Sequence, residues 1–507
     1  MLFPKTPLPL AALLLLAPLG EAASAQQVKL LASDGASLDR FGQSVSLDGE
    51  WALAGAPGNA SGGALYFFRN NAGTWTQHSK VVPAGLEPGE QAGGVVCLNG
   101  TLAVAGTPGP SPGSQRGSAY VFRFDGTAWV QEQKVFPPAP TAIESFGRSA
   151  AIQGNDLLVG AFDSAKGKGK VFVFQFDGTS WILIQKITPP AVTHPESFGI
   201  ALALDSGWAL VGATDDSARG EEVHFYRRTA SGAWKFVQTG SPSDPTTQFD
   251  GDSFGFSLAL RGDVAAVGAS SHEHFGGLAT TGAVYVFRRQ GKIWTGEQEL
   301  LPDDLTAGDA FGAAVAVDGD SVLGTRPAHP TDSGVGTATL FLHHGIVWSS
   351  VMRIVPFDPA FTDRFGTSSA LREGEALVGN PTGTNGSTDS GAAYVTALPR
   401  VNTIALTGPV SVGAGTSPVW TWSGAPADAP YSFLMSGNAK GSLFQGHPID
   451  VGPGVKVLAT GTTTASGSGS FTIRVPGKFR GKTGSIEVVV VSGSEVFDSN
   501  PVTVTVF

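Results

Sequence analysis

Residues 41–57 read FGQSVSLDGEWALAGAP, and the same string, respelled, returns six more times before residue 400. The copies start at Phe41, Ala92, Phe146, Phe198, Phe254, Phe311 and Phe365, a spacing of 51 to 57 residues. Intervals that regular mark stacked structural repeats. Within each copy two apolar runs flank a few turn residues, as FGRSAAI and LLVGAF flank Gln153 to Asp156, which predicts an antiparallel hairpin. A third strand follows in each unit (VFVFQF from Val171), and a fourth opens at a tryptophan (SWILIQKI from Ser180). Four antiparallel strands in about 50 residues is the size of a propeller blade.

The strand count suggests how such a ring closes. Seven first hairpins are present, but the fourth-strand tryptophans number six: Trp75, Trp129, Trp181, Trp234, Trp294 and Trp348. The seventh unit ends at AAYVTALPR, and QQVKLL precedes the first FG as IQKITPP precedes the fourth. The expectation is a seven-bladed propeller over residues 26–400 in which the N-terminal strand completes the last blade. High Gly (69) and Pro (33) with 15% charged residues suits a turn-rich, all-β chain.

The flanking segments read differently. Residues 1–25 carry Lys5, an apolar run from Leu8 to Leu19 and Ala23-Ser24-Ala25, the layout of a secretory signal peptide. No later run is long and apolar enough to predict a membrane span. Residues 401–507 hold segments such as SPVWTWSG, SFTIRVP and SIEVVVV between Gly, Ser and Pro, which predicts a small Ig-like β-sandwich. The lone Cys97 lies in an apolar strand, so no disulfide framework is expected and the thiol reads as a small buried hydrophobe. Net charge is −10, from 32 basic and 42 acidic residues, and residues 401–507 are nearly balanced. The acidic excess therefore lies in the repeats and argues against nucleic acid as a partner.

FG followed by VGA or AGAP and then a Tyr-Val-Phe strand resembles the FG-GAP repeats of integrin alpha-subunit heads and of many secreted bacterial proteins. The resemblance runs from Gln26 to about Arg400 and implies a seven-bladed β-propeller; it does not carry integrin biology with it. Such relatives often bind calcium through an Asp-rich loop between the first two strands of a blade. Here those connections read LDGEW, LNGTL, IQGND, LDSGW, LRGDV, VDGDS and LREGE, none with D-x-D-x-D-G spacing, so neither calcium nor any other cofactor is expected. The RGD at Arg261-Gly262-Asp263 occupies one of these turn slots and reads as a hairpin turn.

Two further patterns bear on function. An acid stands two residues before the FG position in every unit: Asp39, Glu90, Glu144, Glu196, Asp252, Asp309 and Asp363. Equal use in all seven units reads as turn structure, each carboxylate accepting backbone N–H groups. The connections between second and third strands vary instead, and variable loops on a rigid frame are where recognition sits. They contribute the candidate contact residues Lys166, Lys168, Asp215, Asp216, His272, Glu273 and His274. No catalytic set, P-loop, G-x-S-x-G or H-E-x-x-H is present. The expected protein is a secreted or surface monomer that binds an extracellular protein or glycan; the alternative is a secreted enzyme acting on polysaccharide or another polymer at a propeller face.

Overall fold

A computed structural model describes residues 27–407 except 88, 109–116, 138–144, 163–168, 191–196, 215–220, 243–251, 274–279, 328–334, 344–347, 361–362, 384–388 and 399–400. Beyond 407 it describes the strands and residues 417 and 468. The described residues form no helix. Seven four-stranded antiparallel sheets follow one another along the chain up to Ala397. Blade 1 is Ser44–Asp48, Trp51–Ala56, Ala64–Asn71 and Thr74–Val81; blades 2 to 6 repeat the order. In blade 7, Ser368–Arg372, Glu375–Asn380 and Ala392–Ala397 are joined by Gln27–Leu30 from the start of the chain, with Val28 opposite Val395 and Leu30 opposite Ala393. This is an all-β, seven-bladed propeller.

The repeated letters are the residues by which one blade touches the next. A Cβ on Gly55, the glycine of AGA in blade 1, would lie 2.0 Å from the carbonyl oxygen of Gly93, the glycine that opens blade 2. Gly106 and Gly147 repeat the contact between blades 2 and 3 at 2.1 Å. Only a residue without a side chain permits backbones that close. Beside this contact the FG phenylalanine fills the seam: Phe146 is fully buried among Val104 and Val121 of blade 2 and Val159 and Phe172 of its own blade. Serines two positions after the glycine add cross-blade bonds, Ser149 Oγ to Gly199 O (2.6 Å) and Ser257 Oγ to Gly312 O (2.7 Å).

The outer rim has its own connector. Gln133 of blade 2 uses both ends of its amide on the backbone of Trp181 in blade 3, accepting from the N–H (2.7 Å) and donating to the carbonyl (3.0 Å). Gln185 does the same to Trp234, Gln238 to Trp294 and Gln298 to Trp348. A side-chain amide thus stands in for a neighbouring strand at an otherwise open edge.

After the propeller the described strands pair among themselves. Pro430–Ser436 lies between Lys456–Thr462 and Thr483–Ser492, and Val401–Thr407 pairs with Glu495–Ser499 and Val419–Ser423.

Candidate functional site

Strand direction divides the ring into two faces. Turns entering each first strand and connections from second to third strand emerge on one side, here the FG face. The turns between first and second strands emerge on the other.

On that other face all seven first turns are two-residue hairpins, from Asp48 opposite Trp51 round to Arg372 opposite Glu375. Two residues cannot wrap the six to eight oxygens calcium takes. The corner side chains instead reach the next blade. Asp48 accepts from Gly100 N, Asn99 from Gly154 N (3.0 Å), and Gln153 donates to Asp205 (2.7 Å). Asp205 in turn accepts from Gly262 N (2.8 Å). Arg261 pairs with Asp318 (3.5 Å), Asp318 accepts from Glu373 N (2.7 Å), and Arg372 pairs with Asp48 (3.0 Å). The circuit closes, and Arg261 of the RGD string is tied into it on both sides, since it also pairs with Asp205 (3.4 Å).

On the FG face the turn acids point inward. Asp39, Glu90, Asp252, Asp309 and Asp363 are all buried. Four of them accept the backbone N–H three residues upstream: Ala36 to Asp39 (3.0 Å), Glu87 to Glu90 (2.9 Å), Thr306 to Asp309 (2.8 Å) and Ala360 to Asp363 (3.0 Å). Burial pushes the Asp363 carboxyl above its ordinary range against the pull of the Ala360 bond. Glu144 and Glu196 lie outside the described residues.

What differs between blades is the partner of the acid. Asp39 receives Asn59 (3.1 Å), Glu90 receives Tyr120 (2.7 Å) and Lys134 (3.3 Å), and Asp252 meets His272 Nδ1 at 2.8 Å. Asp309 receives Arg326 (3.0 Å), and both members of that pair are fully buried. Arg326 also bonds Thr337 (2.6 Å) and Asp304 (2.6 Å).

Of the candidate loop residues, His272 and Glu273 are among the described residues, and they stand in different surroundings. His272 is 2% exposed, between Asp252 and Glu299 (Oε1 at 3.7 Å), whereas Glu273 beside it is exposed. His274, Lys166, Lys168, Asp215 and Asp216 lie outside the described residues. Among the described residues, no three His, Cys, Asp or Glu side chains converge as a metal-holding group.

One register position breaks the symmetry most clearly. On the third strand, Tyr66, Tyr120, Phe172, His224, Tyr285, Thr339 and Tyr394 stand opposite Lys80, Lys134, Lys186, Thr239, Glu299, Arg353 and Lys29. In three blades the tyrosine hydroxyl donates to an acid that also holds the lysine: Tyr66 and Lys80 on Asp34, Tyr120 and Lys134 on Glu90, Tyr394 and Lys29 on Asp358. Blades 4 and 6 have neither tyrosine nor lysine there, and of the two only blade 4 has a histidine. Sequence reading missed Arg326, Glu222 and His224, although VLGTRP and EVHFYRR both depart from the letters their slots carry elsewhere.

A ring of seven like blades, joined by FG glycines and closed by its own first strand, defines a repeat-built β-propeller. The chain is an FG-GAP β-propeller protein: the family model described as FG-GAP repeat matches residues 25–68, 129–174, 234–287, 294–341 and 348–396. The four later matches each begin at a fourth-strand tryptophan or its equivalent and end in the third strand of the following blade, so the sequence repeat is offset by one strand from the blade. No curated protein matches the chain. Among solved structures, a superoxide reductase (neelaredoxin) from Ignicoccus hospitalis is similar at 14% identity over 21% of this chain and 81% of its own, with a TM-score of 0.15. No helix among the described residues is long and apolar enough to cross a membrane.

Proposed function

We propose that this protein is a secreted or cell-surface binding protein that engages an extracellular protein or glycan through the second-to-third-strand connections of the FG face, without chemical turnover. The observation behind this reading is a division of roles. Turn acids are consumed in fastening their own turns, and FG glycines and corner side chains in joining neighbouring blades, whereas the connections between second and third strands differ in length and charge from blade to blade. A rigid frame presents such loops at small entropic cost on binding. The leader-like residues 1–25 support export, and we read residues 401–507 as a small Ig-like β-sandwich appended to the ring.

Replacing residues 163–168 and 273–279 with Gly-Ser turns tests the reading, because His272 and its bond to Asp252 are left in place. The expected result is an unchanged melting temperature with loss of attachment in a screen against glycans and surface proteins. Retained attachment would count against the FG-face loops. The second reading, an enzyme acting on a polymer, is favoured by one geometry, the Asp252–His272 pair. It predicts hydrolase or lyase activity that disappears in His272→Asn, the residue type of Asn59 in blade 1, while binding persists.

A further inference from the structure

Blade 4 departs from the other blades at two positions of its third strand. On its third strand (Glu222–Arg228), His224 takes the slot where Tyr66, Tyr120, Tyr285 and Tyr394 stand in other blades. Glu222 opens the strand where blades 1, 5 and 7 have Ala64, Ala283 and Ala392. His224 is 0% exposed. Its Nε2 and Glu222 Oε2 are both buried without a hydrogen-bond partner, and they lie 3.6 Å apart. Buried polar atoms are almost always hydrogen-bonded, and at 3.6 Å these two face each other at ion-pair range without bonding directly, which leaves a place for a bridging component.

We propose that Glu222 Oε2 and His224 Nε2 are two ligands of a divalent transition-metal ion, zinc above all, whose remaining coordination positions are open to water. The separation favours an ion over a bridging water. A water about 2.8 Å from each atom would be held at an angle of about 80°, too acute for its two bonds. An ion about 2.1 Å from each would see them at about 120°, near the tetrahedral arrangement zinc adopts. The far side of the imidazole fits as well. Nδ1 lies 3.3 Å from Thr239 Oγ1, and a ligating histidine donates its other N–H to such an oxygen. The rings of Phe198 and Phe236 pack against His224 and fix its plane. A nitrogen ligand points away from calcium and magnesium, which prefer oxygen. The site is distinct from the Asp-rich calcium loop of relatives, which belongs to the first turn of a blade. It also falls in 175–233, a segment between the matched FG-GAP repeats.

The test uses the full chain, stripped of metal with EDTA and titrated with Co2+ and Zn2+. The expected result is saturable Co2+ binding with a visible d–d band, displacement by Zn2+, and a melting temperature raised by Zn2+. His224→Phe introduces the residue of blade 3 at this register (Phe172), and Glu222→Ala the residue of three other blades, so both suit the fold. Each is expected to weaken binding by at least about tenfold with circular dichroism unchanged. Zinc-edge X-ray absorption on the wild-type protein reads imidazole scattering independently of whether either variant folds. Absence of saturable Co2+ binding, a zinc spectrum without imidazole, or equal binding by both folded variants would overturn the proposal.

Discussion

At the scale of single residues, the ring depends on a few side chains with no solvent to fall back on. Phe146 has no exposed surface, and its seam between blades 2 and 3 is rigid strand on both sides, so Phe146→Ala leaves a cavity that cannot collapse. The expected loss is about 3–5 kcal/mol in urea unfolding; a loss under about 1 kcal/mol would show the seam relaxing. Arg326 raises a different problem. Its removal takes the Arg326 charge away from the buried Asp309 carboxylate, so Arg326→Ala should cost about 3–5 kcal/mol. Adding Asp309→Asn should restore part of that loss, and a double-mutant cycle reads the coupling. Residues of these two kinds were not equally legible beforehand. Phe146 recurs with the period and so declared itself, whereas Arg326 is a single departure from the GA pattern and becomes visible only once the copies are superposed.

Between elements, the contacts that matter run from one outer strand to the next. Glu132 of blade 2 joins Arg123 (2.7 Å) and the Trp181 indole of blade 3 (2.9 Å). Burial alone would raise its carboxyl pKa, but these two bonds outweigh burial and hold it below the ordinary 4.5. A depressed folded-state pKa means that the unfolded chain takes up the proton first as pH falls. The stabilisation is therefore complete above pH 4.5 and lost on further acidification. Glu132→Gln should flatten the drop in urea midpoint between pH 7 and pH 3.5; an equal drop in both proteins would show that Glu132 does not contribute. The neighbouring Gln133–Trp181 fork was written in the chain as a glutamine four residues after the tryptophan in four units, Trp129, Trp181, Trp234 and Trp294. Alternation and turn residues reveal strands because each reflects local chain physics. The fork is a relation between two strands about fifty residues apart, and a periodic pattern alone does not say which strand a side chain will reach. For Asp39, Glu90, Asp309 and Asp363 the relation is local instead, since acceptor and N–H lie three residues apart.

At the scale of the whole molecule, the first strand is paired into the last blade, so the ring of seven sheets has no loose end. Removing Gln27–Leu30 takes away the partner of Ala392–Ala397 and opens a strand edge. The truncated protein should melt lower and aggregate on light scattering; unchanged melting and solubility would show that blade 7 stands without its fourth strand. The same closure governs how the protein is made. Gln27 meets Thr396 across 369 residues of chain, so the first strand emerges from the ribosome long before the strand it must join. At about 5–20 residues per second the wait is roughly 20 to 70 s. A product cut short anywhere before the seventh blade never acquires that partner. Its first strand then stays unpaired and open to proteases and chaperones, whereas the finished ring holds that strand against Ala392–Ala397, so closure doubles as a check that translation ran through the last blade.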